Sequence, residues 1–218
     1  MHKTIKNLED INRELKLEIK ENSLPIIIAV SKTFSIEHIK PLIDYGHQHF
    51  GENKVQEAKI KWLKIKNEKP NLQLHMLGKL QSNKAKDAIE LFDFIHSVDS
   101  EKLASTLAKY ENLLNKKKKY FIQVNIGNEN QKSGIHKNQL LDFYSFCKKI
   151  SLNVIGLMCI PPNDKNPKKY FIDLAKLNNL LKLNQLSMGM SADYLDAIEC
   201  GSTFVRVGSA IFGNRSAK

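Results

Sequence analysis

Arginine is scarce in this 218-residue chain, which also has three cysteines and a single tryptophan. Only three of the 34 basic residues are arginine (Arg13, Arg206 and Arg215), so lysine supplies the other 31. A nucleic-acid-binding surface interleaves arginine with aromatic side chains, and that pattern is missing despite a net charge of +11. The lysines are scattered among abundant Asn and Ile. Their densest run, Lys116–Lys119, falls between a helical and a strand pattern, where a solvated loop is expected. The three cysteines, Cys147, Cys159 and Cys200, are too few for a disulfide framework and show no Cys-x-x-Cys spacing. They read as free thiols in a reducing compartment. Long apolar runs are absent as well. Pro25–Val30 is far shorter than the roughly 20 residues that span a bilayer, and Met1–Lys6 leads into polar sequence without the apolar centre of a signal peptide. A cytoplasmic protein with no membrane partner and no specific nucleic-acid partner is expected. No Pro/Gly/Ser-rich linker interrupts the chain, which predicts one domain over residues 1–218.

What is present is an alternation of short apolar runs with helical patterns. Leu8, Ile11, Leu15 and Ile19 have helical spacing, predicting a first helix over 8–21. Pro25–Val30 then reads as a buried strand of the parallel kind, and Ser35 caps a helix running to about Asp44. Further strands are predicted at His47–Gly51, Leu72–Leu77, Phe94–Val98, Tyr120–Ile126, Val154–Ile160, Leu186–Ser187 and Phe204–Val207. Helices are predicted between them at 55–67, 83–91, 101–114, 137–150, 168–182 and 193–200. This is the order of an α/β chain forming a single (β/α)8 TIM barrel with an extra N-terminal helix.

Such barrels carry their chemistry at the C-terminal ends of the strands. Ser31-Lys32 follow the first apolar run, which anchors Lys32 at the edge of the core. A lysine desolvated there has a lowered pKa and a neutral amine able to form an imine with an aldehyde; the competing reading is one more surface lysine. Ser187-Met188-Gly189 and Gly208-Ser209-Ala210 follow strands seven and eight, where barrels often hold a phosphate on loop amides. An aldehyde-reactive amine facing a phosphate cradle suits pyridoxal 5′-phosphate (PLP). Arg206, at the end of strand eight, is placed to approach the cofactor's pyridine nitrogen, where a permanent cation disfavours ring protonation and weakens the electron sink. A rim salt bridge is the alternative for Arg206. His47 and His49, two apart on a predicted strand, share a face, and packing is expected of them rather than metal binding. Trp62, on a helical face, is read as packing too.

Lys32, Asn53, Ser187, Met188, Arg206 and Gly208 fall within segments that resemble the PLP homeostasis proteins, the YggS/PROSC family. The matching segments are 29–33, 49–53 with Gln56-Glu57, 75–78 with 80–84, 96–99, 124–126 with Glu129 and Lys132–Gly134, 156–158, 186–191, and 205–208 with 211–213. The resemblance implies a fold similar to the N-terminal barrel of alanine racemase and a Schiff base between Lys32 and PLP. It further implies phosphate contacts from Ser187, Met188, Gly208 and Ser209, Arg206 at the pyridine nitrogen, and Asn53 lining the pocket. Lys132 is similar to a lysine linked with PLP transfer or a second PLP contact, against a solvated loop lysine. The chain departs from the family where Phe34 replaces a second lysine, Met76 an aromatic residue, and Lys79 an uncharged one.

The implied function is a carrier or buffer of PLP, monomeric, not an enzyme, with apo-PLP enzymes as transient recipients. An amino-acid racemase is the main alternative. It needs an acid/base on each face of the substrate α-carbon, and the internal tyrosines (Tyr45, Tyr110, Tyr120, Tyr144, Tyr170 and Tyr194) fall mostly on helices rather than at strand ends. Because the chain ends at Lys218, no second domain is expected to supply one. A basic RNA-binding protein that inherited the barrel is a third reading.

Overall fold

The computed structural model describes residues 1–19, 24–129, 131–164 and 166–213. The apolar runs form β1 (Ile26–Val30), β2 (His49–Glu52), β3 (Gln73–Met76), β4 (Phe94–Val98), β5 (Lys119–Gln123), β6 (Val154–Met158), β7 (Gln185–Met190) and β8 (Phe204–Val207). Each pairs in parallel with the next, and β8 closes on β1, with Ile26 opposite Phe204 and Ala29 opposite Val207. Parallel neighbours need long crossovers. Here these carry α2 (Ile36–Asp44), α3 (Val55–Glu68), α4 (Ala85–Leu91), α5 (Glu101–Leu114), α6 (Leu140–Lys149), α7 (Lys168–Leu180) and α8 (Tyr194–Glu199). The fold is the expected (β/α)8 TIM barrel, flanked by α1 (Lys3–Glu18) and a short α9 (Ser209–Phe212).

The first helix begins five residues before the expected Leu8, because His2 caps it by accepting a hydrogen bond from the Thr4 N–H. Its expected end at Glu21 lies outside the described residues. Leu8, Ile11 and Leu15 bury its apolar face as predicted, and Asn7 donates to the Ile211 carbonyl at 2.8 Å, tying α1 to α9. The seventh strand is longer than predicted, reaching Met190 instead of ending at Ser187. That difference moves the rim of the barrel.

Alternation along each strand sorts the core into two shells. Leu74, Ile95, Ile122, Leu157 and Val205 point outward into the layer under the helices. Ile28, Val30, Leu77, Phe94, Phe121, Met158 and Phe204 fill the barrel interior. At the top of β1 and β2 the buried carboxylate of Glu52 acts as a clasp. Its Oε1 accepts from Ser31 Oγ at 2.8 Å, Lys61 Nζ at 2.9 Å and Trp62 Nε1 at 2.9 Å. Trp62 packs in the core, fully buried and 4.9 Å from the Phe50 ring, and this bond adds a role its spacing did not show. The clasp fixes the chain beside Lys32 and Asn53.

Where β6 meets β7, a Cβ added at Gly156 would lie 1.9 Å from the Gln185 carbonyl oxygen. Backbone cannot yield as a side-chain tip can, so only glycine fits there. Gly156→Ala is expected to cost about 1–3 kcal/mol, as overpacking does. A thermal melt should show the midpoint falling by several degrees, and an unchanged midpoint would contradict the close approach.

Candidate functional site

A cavity of about 560 Å³ opens at the C-terminal end of the barrel. Five residues singled out in the sequence meet there: Lys32, Asn53, Arg206, Gly208 and Ser209. Lys32 is half-buried, and the left-handed backbone at Thr33 (φ 69°) turns the chain directly after it. Asn53 is held by Gly78, since a Cβ on Gly78 would lie 2.3 Å from the Asn53 carbonyl oxygen. Phe34, at the position where the family resemblance led to the expectation of a second lysine, contributes an apolar wall. It stacks at 5.1 Å on His38 and 4.9 Å on Phe212.

Ser187 and Met188 do not line this cavity. Both are fully buried, and alternation along β7 sends them in opposite directions. Met188 joins the outer layer, whereas Ser187 Oγ sits inside the barrel, bonded to His96 Nδ1 at 2.9 Å and Arg206 Nη1 at 2.8 Å. Because β7 continues to Met190, the rim is formed by Met190, Ser191 and Ala192 instead. Ser191, rather than the two buried residues expected from sequence, thus stands at the cavity wall. Its Oγ accepts from the Gly208 N–H at 3.1 Å and the Ala210 N–H at 3.3 Å, so two amides at the start of α9 converge on one oxygen. Ser191 was visible in the sequence, four residues past the predicted strand end. Only the length of β7 makes it the rim residue.

Arg206 is the buried charge of the site. Nη2 donates to the Cys159 carbonyl at 2.8 Å, and among the described residues no carboxylate forms an ion pair with it, unlike the rim salt bridge considered from sequence. Burial lowers its pKa from the ordinary value, against the opposing pull of Cys159 and Asp193. Lys132 lies outside the cavity lining, with Nζ 2.6 Å from Glu129 Oε2 and 3.1 Å from the Pro161 carbonyl.

A file of histidines was missed in the sequence. His49 Nδ1 lies 3.0 Å from His75 Nε2, and His75 Nδ1 lies 2.9 Å from His96 Nε2. Two histidines at inward positions of neighbouring strands were the signal that could have shown it. His47 does not share their side as expected. The strand starts only at His49, and the His47 ring turns back to the His49 carbonyl and packs edge-on to Phe50. Among the described residues no group of three or more His, Cys, Asp or Glu is arranged to hold a metal, and no helix is long and apolar enough to cross a membrane.

Burial drives His75 and His96 well below the ordinary imidazole pKa and His47 down to about 4. The unfolded chain takes up protons on these groups near pH 6.5, while the fold keeps them neutral. Acid therefore favours the unfolded chain. Stability is full above about pH 7 and falls as the pH drops through about 6.5, by up to about 1.4 kcal/mol per pH unit for each imidazole. Urea unfolding should show a clearly lower midpoint at pH 5 than at pH 7.5; equal midpoints would mean that the imidazoles protonate in place.

The sequence pattern of the family described as alanine racemase, N-terminal domain, matches residues 7–216. A pyridoxal phosphate homeostasis protein of Vibrio cholerae is 40% identical over 200 residues, covering 87% of this chain and 85% of that protein. Another, of Aquifex aeolicus, is 34% identical over 218 residues, covering 95% of each. PipY of Synechococcus elongatus superposes with a TM-score of 0.86 in its PLP-free structure and 0.85 with PLP bound. At 33% identity, these cover 97% and 96% of this chain and all of PipY. An alanine racemase of Clostridium difficile matches with a TM-score of 0.71 at 16% identity, covering 98% of this chain but 58% of its own. That likeness shows the fold alone.

Proposed function

The chain belongs to the pyridoxal phosphate homeostasis protein family and carries the alanine racemase N-terminal domain, and from this we propose that it is a carrier and buffer of PLP that holds the cofactor covalently on Lys32. The observation that carries the reading is the convergence of an amine, a buried guanidinium and a pair of oxygen-seeking amides on one cavity. The donor set suits the cofactor. A cavity of about 560 Å³ has room for a pyridine ring, and the Gly208 and Ala210 amides already meet on a single oxygen, as a phosphate oxygen requires.

When bound, the cofactor supplies an aldehyde that condenses with a neutral amine, losing water, and a phosphate that serves as an anchor. Lys32 Nζ is the amine in this reading, at the end of β1. Ser191, Gly208 and Ser209 hold the phosphate, Asn53 and Phe34 border the ring, and Arg206 faces the pyridine nitrogen. A guanidinium there cannot take a proton from the ring and, being cationic, disfavours a second positive charge beside it. The site is thus suited to retaining the cofactor and poorly suited to stabilising carbanions.

A carrier is preferred over a racemase because no tyrosine lines the cavity among the described residues. Tyr45 is bonded to Glu9, Tyr170 to Asp164 and Tyr194 to Glu14, all away from the site, and Tyr120 is buried in the outer layer. A second acid/base is needed for racemisation. The reading extends to a cytoplasmic monomer, one domain over residues 1–218, with apo-PLP enzymes as transient recipients. Lys132 enters it only as a candidate second PLP contact.

Purified protein incubated with PLP should develop a visible absorption band that borohydride fixes to the Lys32 peptide and that Lys32→Ala abolishes. Absence of the band would overturn the reading, and racemisation of alanine or serine that depends on Lys32 would replace the carrier with an enzyme. Ser191→Ala and Ser209→Ala should each weaken PLP binding roughly 3- to 10-fold, the loss expected for one or two hydrogen bonds. Fluorescence titration measures this, and unchanged affinity in both would remove the phosphate from that wall.

A further inference from the structure

The hydrogen bonds inside the barrel form one continuous file from its N-terminal mouth to the cofactor cavity. It runs His49, His75, His96, Ser187, Arg206, with successive separations of 3.0, 2.9, 2.9 and 2.8 Å. His49 lines a second cavity, of about 780 Å³, at the far end of the barrel. Ring stacking fixes the planes of the two central imidazoles: Phe94 lies 4.4 Å from His75 at 14°, and Phe121 lies 4.3 Å from His96 at 20°.

The direction of every bond in the file follows from its last member. A guanidinium has donors only, so Ser187 Oγ accepts from Arg206. The buried Ser187 hydroxyl hydrogen needs an acceptor of its own, and among the described residues the one other group within reach is His96 Nδ1, which therefore accepts it. With Nδ1 accepting, His96 carries its proton on Nε2 and donates to His75 Nδ1. By the same reasoning His75 carries its proton on Nε2 and donates to His49 Nδ1. Every acceptor end thus points towards Arg206, and every donor end points away from it.

We propose that Ser187, His96 and His75 are positioning residues that hold Arg206 against the cofactor in place of a carboxylate. A carboxylate would satisfy the guanidinium but cancel its charge. A file of neutral dipoles satisfies Nη1 and leaves the full positive charge facing the cavity. A protonated imidazole has no acceptor and would break the file. Burial and the nearby charges oppose this, Arg206 beside His96 and Lys66 beside His75, together with His47 and His49. The role of the file towards PLP rests on the function proposed above, whereas its polarity is a property of the empty protein.

Two measurements on the full chain test the proposal. Imidazole nitrogen NMR on ligand-free protein should show His75 and His96 both with the proton on Nε2, unchanged from pH 8 to pH 5.5. Either ring protonated on Nδ1 would overturn the proposal. Titration with PLP should show Ser187→Ala and His96→Phe each weakening binding roughly tenfold, as expected on losing one hydrogen bond to a charged group, with a shifted visible band. Each loss should vanish when measured in an Arg206→Gln background, because the effect passes through Arg206. Losses that persist undiminished in that background would reduce both residues to packing and overturn the proposal. Should His96→Phe fail to fold, Ser187→Ala carries the test, since it removes one oxygen and leaves the barrel filled. If wild-type protein takes up no PLP, the proposed function fails by itself, and the NMR experiment still decides whether the file is polarised towards Arg206.

Discussion

A guanidinium cannot give up its charge inside a protein, and Arg206 lies inside a closed barrel with 5% of its surface exposed. An unpaired buried charge costs several kcal/mol or more, comparable with the whole net stability of a domain. The interior of this barrel is arranged around that demand. Nη2 is satisfied by the Cys159 carbonyl at the end of β6, and Nη1 by Ser187 on β7. Ser187 in turn needs an acceptor, which draws in His96 and behind it His75 and His49. Each polar group is tolerable only because the next one is present. Phe94, Phe121 and Phe204 pack around the two central imidazoles.

The same constraint connects the core to the cavity. An arginine neutralised by a carboxylate would add little to the electrostatics of a bound ring. Held by neutral partners, it keeps its charge at the floor of the site. The other walls come from different structural devices. The Glu52 clasp sets the end of β1, and with it Lys32. Gly78 allows the Asn53 backbone to pass close by. Ser191 gathers the amides at the start of α9. Phe34, packed on His38 and Phe212, fills the place where a second lysine would bring another amine to the cavity. One amine and one guanidinium fit a site for holding a cofactor better than one for moving protons across a substrate.

Periodicity and strand-end chemistry were enough to read the architecture, and several residues that line one cavity, from the sequence. The eight apolar runs, the helices between them, and the positions of Lys32, Asn53, Arg206, Gly208 and Ser209 at strand ends all depend on local patterns. Those patterns survive folding because β1, β2 and β8 are short and these residues lie within them or within two positions of their ends. The place of Ser191 at the rim was not legible for an equally physical reason. The apolar pattern of β7 stops at Leu186, but pairing with β8 carries the strand on to Met190, with a register shift between Ser187 and Met190. Ser187 is thereby drawn inside and Ser191 becomes the rim.

By itself, then, the sequence determined the element order, the barrel and the residues that immediately follow each apolar run, since those rest on spacing between neighbours. Only the tertiary structure decided what lies one layer deeper. His49, His75, His96, Ser187 and Arg206 are spread over most of the chain and belong to β2, β3, β4, β7 and β8. Nothing local links them. They meet because β8 closes on β1 and brings both sides of the sheet around one interior, where a buried charge requires that they bond.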